Sequence, residues 1–101
     1  MTEAQLQTKV LAWLRKQPGT HHVWHKLSVS HFGHSGWPDI IGCHLGRFVA
    51  IELKNESYGD HPERGLTVEQ EMVQGLIRAA GGAYLCANSL AAVQQFFRSL
   101  G

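Results

Sequence analysis

The chain has no apolar run near the ~18 residues that span a bilayer, and its N-terminus lacks the apolar core of a signal peptide. No membrane association is expected. Cysteine is scarce. Cys43 and Cys86 each fall in an apolar stretch, and two isolated thiols read as reduced core residues of a cytoplasmic protein, not as a disulfide framework. An excess of one charge sign is missing too. Nine Lys and Arg against eight Asp and Glu leave a net +1, which argues against a nucleic-acid binder held purely by electrostatics. A bound divalent ion would add charge that this tally omits, so nucleic acid stays open as a partner. Repeats, low-complexity tracts and linkers are also absent. A length of 101 residues therefore reads as one domain, 1–101, around a single core.

What is present is regular patterning. Thr2 with Gln5 forms a capping box for a helix from about Glu3 to Gln17, with Leu6, Val10, Trp13 and Leu14 as its apolar stripe and Pro18-Gly19 as its stop. His22 to Leu27 reads as a strand, and Ser28 to Trp37, rich in Ser, Gly and His, as a loop. Two strands, Pro38–His44 and Phe48–Lys54, flank Leu45-Gly46 as a hairpin turn. The polar stretch Asn55–Gly65 reads as a mobile loop. Thr67 and Gln70 make a second capping box, and Met72, Val73, Leu76, Ile77 and Ala80 are expected on the buried face of that helix. Ala83–Ala87 is nearly all apolar, as expected inside a sheet covered on both faces. A last helix starts at Ser89, with Val93, Phe96, Phe97 and Leu100 inward. The order α-β-β-β-α-β-α predicts an α/β sandwich, a mixed β-sheet flanked by helices with the hairpin in its middle.

The hairpin carries charges that do not suit a core. With Leu45-Gly46 as a two-residue turn, His44 faces Arg47, Cys43 faces Phe48, and Asp39 comes opposite Glu52. Cross-strand partners have Cβ atoms roughly 4.5–5.5 Å apart. Lys54 lies two residues on from Glu52 and shares its face. A three-residue loop with Gly46 as a bulge is the alternative, and a one-residue slip would separate the carboxylates to opposite faces. Two facing carboxylates repel unless something lies between them, and a hard divalent cation is the usual occupant. Lys54 would then orient or deprotonate water, or stabilise charge on a phosphate. Taken singly, each residue also has a bland role, since charges at strand ends are common.

Pro38-Asp39 followed by Glu52-x-Lys54 resembles the PD-(D/E)xK nuclease signature. The segments Gly36–Gly42 and Gly46–Lys54, with Leu66-Thr67-x-x-Gln70 and Ala79-Ala80-Gly81-Gly82, are similar to the virus-type replication-repair nuclease (VRR-NUC) family over nearly the whole chain. The resemblance implies a restriction-endonuclease-like fold and a small stand-alone enzyme of phages and bacteria, cytoplasmic in a bacterial cell or phage-infected host. It implies Mg²⁺ or Mn²⁺ held by Asp39, Glu52, the Leu53 carbonyl and Glu3, with Lys54, Gln70, Glu52 and Asp39 catalytic. It also implies hydrolysis of branched DNA such as Holliday junctions by a homodimer. Glu3 is equally favoured in a first helical turn by the helix dipole, and Gln70 doubles as a capping partner. Lys26, Ser28, Ser30, Ser35, Gly36 and Arg47 are the DNA-contact candidates, with Arg64 beside them, mainly to phosphates. Trp24, Phe32 and Trp37 are interface, core or stacking candidates. Trp37 and the His-rich loop before it depart from the family pattern, as does the length of the Asn55–Gly65 loop. These departures bear on substrate preference.

Seven histidines, with His31-x-x-His34 the tightest pair, raise zinc, but no set of four Cys or His at zinc spacing accompanies them. They read as surface or DNA-facing groups that would gain charge below about pH 6.5 and tighten phosphate contacts. Two rival readings remain. One is a non-catalytic DNA-binding module on a nuclease fold. The other is a sequence-specific restriction-type nuclease, for which the chain has little spare length.

Overall fold

A computed structural model describes residues 1–19, 21–27 and 36–100. Its elements run α1 (Glu3–Arg15), β1 (His22–Lys26), β2 (Ile40–His44), β3 (Arg47–Leu53), two 3₁₀ turns (Glu56–Tyr58 and Pro62–Gly65), α2 (Val68–Ala79), β4 (Ala83–Ala87) and α3 (Leu90–Leu100). This is an α/β fold with a mixed four-stranded sheet in the order β1-β2-β3-β4. The pairs β1–β2 and β2–β3 are antiparallel and β3–β4 is parallel. Both capping boxes form, at Thr2–Gln5 and at Thr67–Gln70.

The two-residue turn is the one adopted. Leu45 and Gly46 both take positive φ, 52° and 80°, which a type I′ turn requires. His44 pairs with Arg47, Cys43 with Phe48 and Ile40 with Ile51. Leu45 is an unfavourable residue for that conformation, so the register is held by the buried faces of the strands and not by the turn.

Alternation along β3 divides the molecule. Val49, Ile51 and Leu53 face one side, where they join Leu6, Val10 and Leu14 of α1 and Val93 of α3. Ala50 faces the other side, with Ile77 of α2 and Tyr84 of β4. Trp24 closes the first core. It is 6% exposed and meets Phe97 edge-on at 5.3 Å between ring centroids, so it is a core residue and not an interface candidate. His22 accepts its indole N–H through Nδ1 at 3.1 Å, and His44 packs on Phe97. These two histidines thus serve the core and are not free surface groups.

Three further expectations are corrected. The Asn55–Gly65 stretch is structured: its two 3₁₀ turns are tied to the loop after β4 by Asn88 Nδ2, which donates to Gly59 O at 2.8 Å. The strand β4 is an edge strand, covered on both faces by α2 and α3. On α2 the buried side is Ile77 with half-buried Val73, Gln70 and Gln74, whereas Met72, Leu76 and Ala80 face solvent. At the sheet's two edges, Arg15 Nη2 donates to Trp24 O at 3.4 Å and Arg78 Nη2 to Tyr84 O at 3.3 Å. Trp24→Ala is expected to cost about 3–5 kcal/mol, measurable by urea denaturation; a loss under ~1 kcal/mol would contradict its core role.

Candidate active site

Glu52 is the anomaly of the second face. It lies in the buried run of the central strand β3 and is 3% exposed. One oxygen, Oε1, accepts from Gln70 Nε2 at 3.0 Å and lies 3.6 Å from Lys54 Nζ. The other, Oε2, is buried without a hydrogen-bond partner. One register step beyond the Ile40–Ile51 pair, Asp39 comes opposite it. Asp39 Oδ2 accepts the Leu53 N–H at 2.7 Å, so the turn into β2 is pinned to the end of β3.

Gln70 links the parts. Its Oε1 accepts from Thr67 N at 2.9 Å, closing the capping box, and from Lys54 Nζ at 2.9 Å, while Nε2 serves Glu52. One side chain thus closes the capping box and also contacts both Lys54 and Glu52.

Electrostatics follow from burial. Glu52 is pushed up to about 8, first by desolvation and then by the Asp39 charge, with Lys54 opposing. Asp39 is also raised by burial. The Leu53 N–H works against this rise, and the Glu3 charge adds to it. Glu3 is therefore close enough to act on Asp39 from the first turn of α1.

Other expected residues are distributed differently. Lys26 is exposed and pairs with Ile40, at the site's end of the sheet; its neighbour Leu27 donates N–H to Asp39 O at 2.8 Å. Arg47 is at the opposite end of the hairpin, roughly 17 Å away at ~3.4 Å per residue, where Nε donates to Gly81 O. It does not belong to the site. Gly36 takes φ 88°, and a Cβ there would strike the Glu69 backbone. The absence of a Cβ there permits close packing on α2. Ser28, Ser30, Ser35, Phe32 and the His31–His34 pair lie outside the described residues.

Sequence reasoning missed the neighbours that β4 supplies. Cys86 pairs with Glu52 and is pushed up to about 11 by burial and then by Glu52. Tyr84 shares that face; its hydroxyl is buried without a partner and raised by burial and Glu52. A parallel register cannot be counted outward from a turn, so no sequence signal placed them. Lys9 was missed as well. A cleft of about 180 Å³ beside Lys54 is lined by Thr2, Lys9, Asn88 and Ser89.

No family model matches the chain, and no curated protein or solved structure matches it. Among the described residues no group of three or more His, Cys, Asp or Glu could hold a metal; the carboxylate pair is the smaller set that remains. No helix among them is long and apolar enough to cross a membrane.

Two outcomes are expected. Gln70→Ala should destabilise the fold by about 2–3 kcal/mol, because it removes a cap partner and strips buried Glu52 of a donor. Gln5→Ala, which breaks the same box in α1 with no site attached, should cost about 0.5–1 kcal/mol. Equal losses in chemical denaturation would detach Gln70 from the site. The second outcome concerns pH. An acid whose folded pKa is raised stabilises the fold while protonated and loses that contribution as it ionises. In EDTA the melting temperature should fall as pH rises from the ordinary glutamate value of 4.5 through about 8, and Glu52→Gln should flatten this slope. An undiminished slope in the variant would assign the titration elsewhere.

Proposed function

We propose that the chain is a metal-dependent, structure-selective DNA endonuclease that hydrolyses phosphodiester bonds in branched DNA such as Holliday junctions. Its domain would be restriction-endonuclease-like and akin to the VRR-NUC family. The observation that carries this reading is the buried Glu52 carboxylate, with Oε1 tied to Gln70 and Lys54 and Oε2 left unpartnered opposite Asp39. A buried carboxylate oxygen with no donor is costly, and a hard divalent cation relieves both that deficit and the repulsion between facing carboxylates.

The available donors fit Mg²⁺ or Mn²⁺, since they are carboxylate and carbonyl oxygens. Asp39 and Glu52 would hold the ion, with the Leu53 carbonyl as a further oxygen; Glu3 does not group with the pair among the described residues, so the ligand role that the resemblance implies for it is carried here only by its charge acting on Asp39. When bound, it would supply Lewis-acid polarisation of a phosphoryl oxygen and lower the pKa of a water. The remaining roles belong to the chain. Lys54, gripped by Gln70 at 2.9 Å, would present its amine to an attacking water or to charge developing on the phosphate. Gln70 would keep Lys54 and Glu52 in one plane of contact. Lys26 on the adjoining strand and Lys9 in the cleft beside Lys54 would bind flanking phosphates, which position the strand without reading its sequence.

The decisive assay incubates labelled four-way junction, flap, splayed and duplex DNAs with the protein in Mg²⁺ or Mn²⁺. Cleavage of branched substrates is expected, with none in EDTA. Lys54→Ala should lower the rate by about 10²–10³ or more and Asp39→Ala should abolish it, with circular dichroism unchanged. Binding of junctions without cutting in either ion would favour a non-catalytic module; sharp preference for one duplex sequence would favour a restriction-type enzyme.

A further inference from the structure

Among the described residues, Glu52 Oε2 and the Tyr84 hydroxyl are the buried side-chain polar atoms without a hydrogen-bond partner. Both belong to the α2 side of the sheet. β3 and β4 run parallel, with Ala50 paired to Tyr84 and Glu52 to Cys86. Tyr84 is therefore the diagonal neighbour of Glu52, one same-face step back along β4. At ~4.8 Å between strands and ~3.3 Å per residue, their Cα atoms are about 8 Å apart, a gap that two long side chains can span. Electrostatics agree. After burial, the Glu52 charge is the largest cause holding the Tyr84 phenol above its ordinary value.

The surroundings give the hydroxyl little to do in packing. Tyr84 is 4% exposed and clusters with Ala50 and Ile77. Its backbone and ring are held by Arg78, which donates to Tyr84 O at 3.3 Å and places its guanidinium 5.9 Å from the ring centre. A phenylalanine would fill this apolar cluster without burying an unmet O–H. Glu52, for its part, is engaged through one oxygen. Gln70 and Lys54 approach Oε1 at 3.0 Å and 3.6 Å, which leaves the carboxylate free to turn about that oxygen. A partner for Oε2 on β4 would fix its plane. A carboxylate oxygen has two lone pairs, so Oε2 can accept from a phenol and still face an ion. The phenol brings no charge, so the repulsion between Glu52 and Asp39 still calls for a cation.

We propose that Tyr84 is a positioning residue for Glu52: its hydroxyl donates to Oε2, with at most one water between them, and holds the carboxylate in the orientation that takes a divalent cation. A hydroxyl both donates and accepts, so the link serves the carboxylate and the neutral acid alike. The role toward the ion rests on the nuclease reading above, whereas the link between hydroxyl and acid does not.

Tyr84→Phe removes the hydroxyl and keeps the ring. In EDTA its melting temperature should fall by roughly 4–8 °C. In a Glu52→Leu background the same change should shift the melting temperature by less than about 2 °C, or raise it, because the partner is gone. Calorimetric titration of Mn²⁺ should show binding about 10- to 100-fold weaker in Tyr84→Phe than in the wild-type chain. An unchanged or higher melting temperature in Tyr84→Phe alone would mark the hydroxyl as unpartnered and overturn the proposal. An undiminished fall in the Glu52→Leu background would overturn it too, and would hand the hydroxyl to a different group such as half-buried Gln74 of α2. Equal Mn²⁺ affinities would overturn the positioning role. A wild-type chain that binds no Mn²⁺ would overturn the nuclease reading and the positioning role together, while the melts in EDTA still decide the link.

Discussion

The arrangement depends on one primary amide. Glu52 is carried into the interior by a strand whose neighbours are Ile51 and Leu53, and a carboxylate there needs donors or it is not tolerated. The Gln70 amide supplies one, and its carbonyl oxygen simultaneously takes the Lys54 amine and the Thr67 N–H. The first turn of α2 is thus located by the charge it serves. Gly36 rests on Glu69 in that turn, and the segment after it enters β2 at Asp39. Both carboxylates are therefore referenced to one helix start.

The two faces of the sheet divide the labour. One side, built from α1, α3 and the odd-numbered residues of β3, is apolar and aromatic, with Val10, Val49, Ile51 and Val93 fully buried and the Trp24–Phe97 pair closing it. The other side is thinner: among the described residues its buried apolar cluster is Ala50, Ile77 and Tyr84, with Glu52 buried beside them. Stability can be concentrated on the first side while the second accommodates a strained pair of acids. Period-two alternation makes this possible in a single strand, because Ile51 and Glu52 are neighbours in sequence and face different environments.

How much of this was readable depended on whether the controlling interaction was local. Both capping boxes and the hairpin register are short-range, and counting outward from Leu45-Gly46 gave the Asp39–Glu52 pairing. The buried face of α2 was not local. Its apolar residues make two stripes, and periodicity cannot say which meets the sheet; the polar pull of Gln70 toward Glu52 decides for Val73 and Ile77, leaving Met72 and Leu76 outside. The 55–65 stretch looked mobile because its order comes from Asn88, far along the chain. β4 looked interior because its residues are nearly all apolar, yet coverage by helices on both faces produces that pattern at an edge too. Arg47 resembled a phosphate contact by charge alone, and the length of the hairpin carries it away.

The two outer strands share a device. Leu45 N–H bonds to His21 O, and Lys54 N–H to Ala87 O, so along β1 and β4 the odd-numbered carbonyls turn inward and those of Trp24 and Tyr84 turn outward. Each outward carbonyl is taken by an arginine from the last turn of the helix that precedes its strand, Arg15 for Trp24 and Arg78 for Tyr84. An open sheet normally offers two ladders onto which another chain can add. Here a bulky charged group stands on each ladder, so growth of the sheet by strand addition, whether into fibrils or swapped oligomers, is obstructed from both ends.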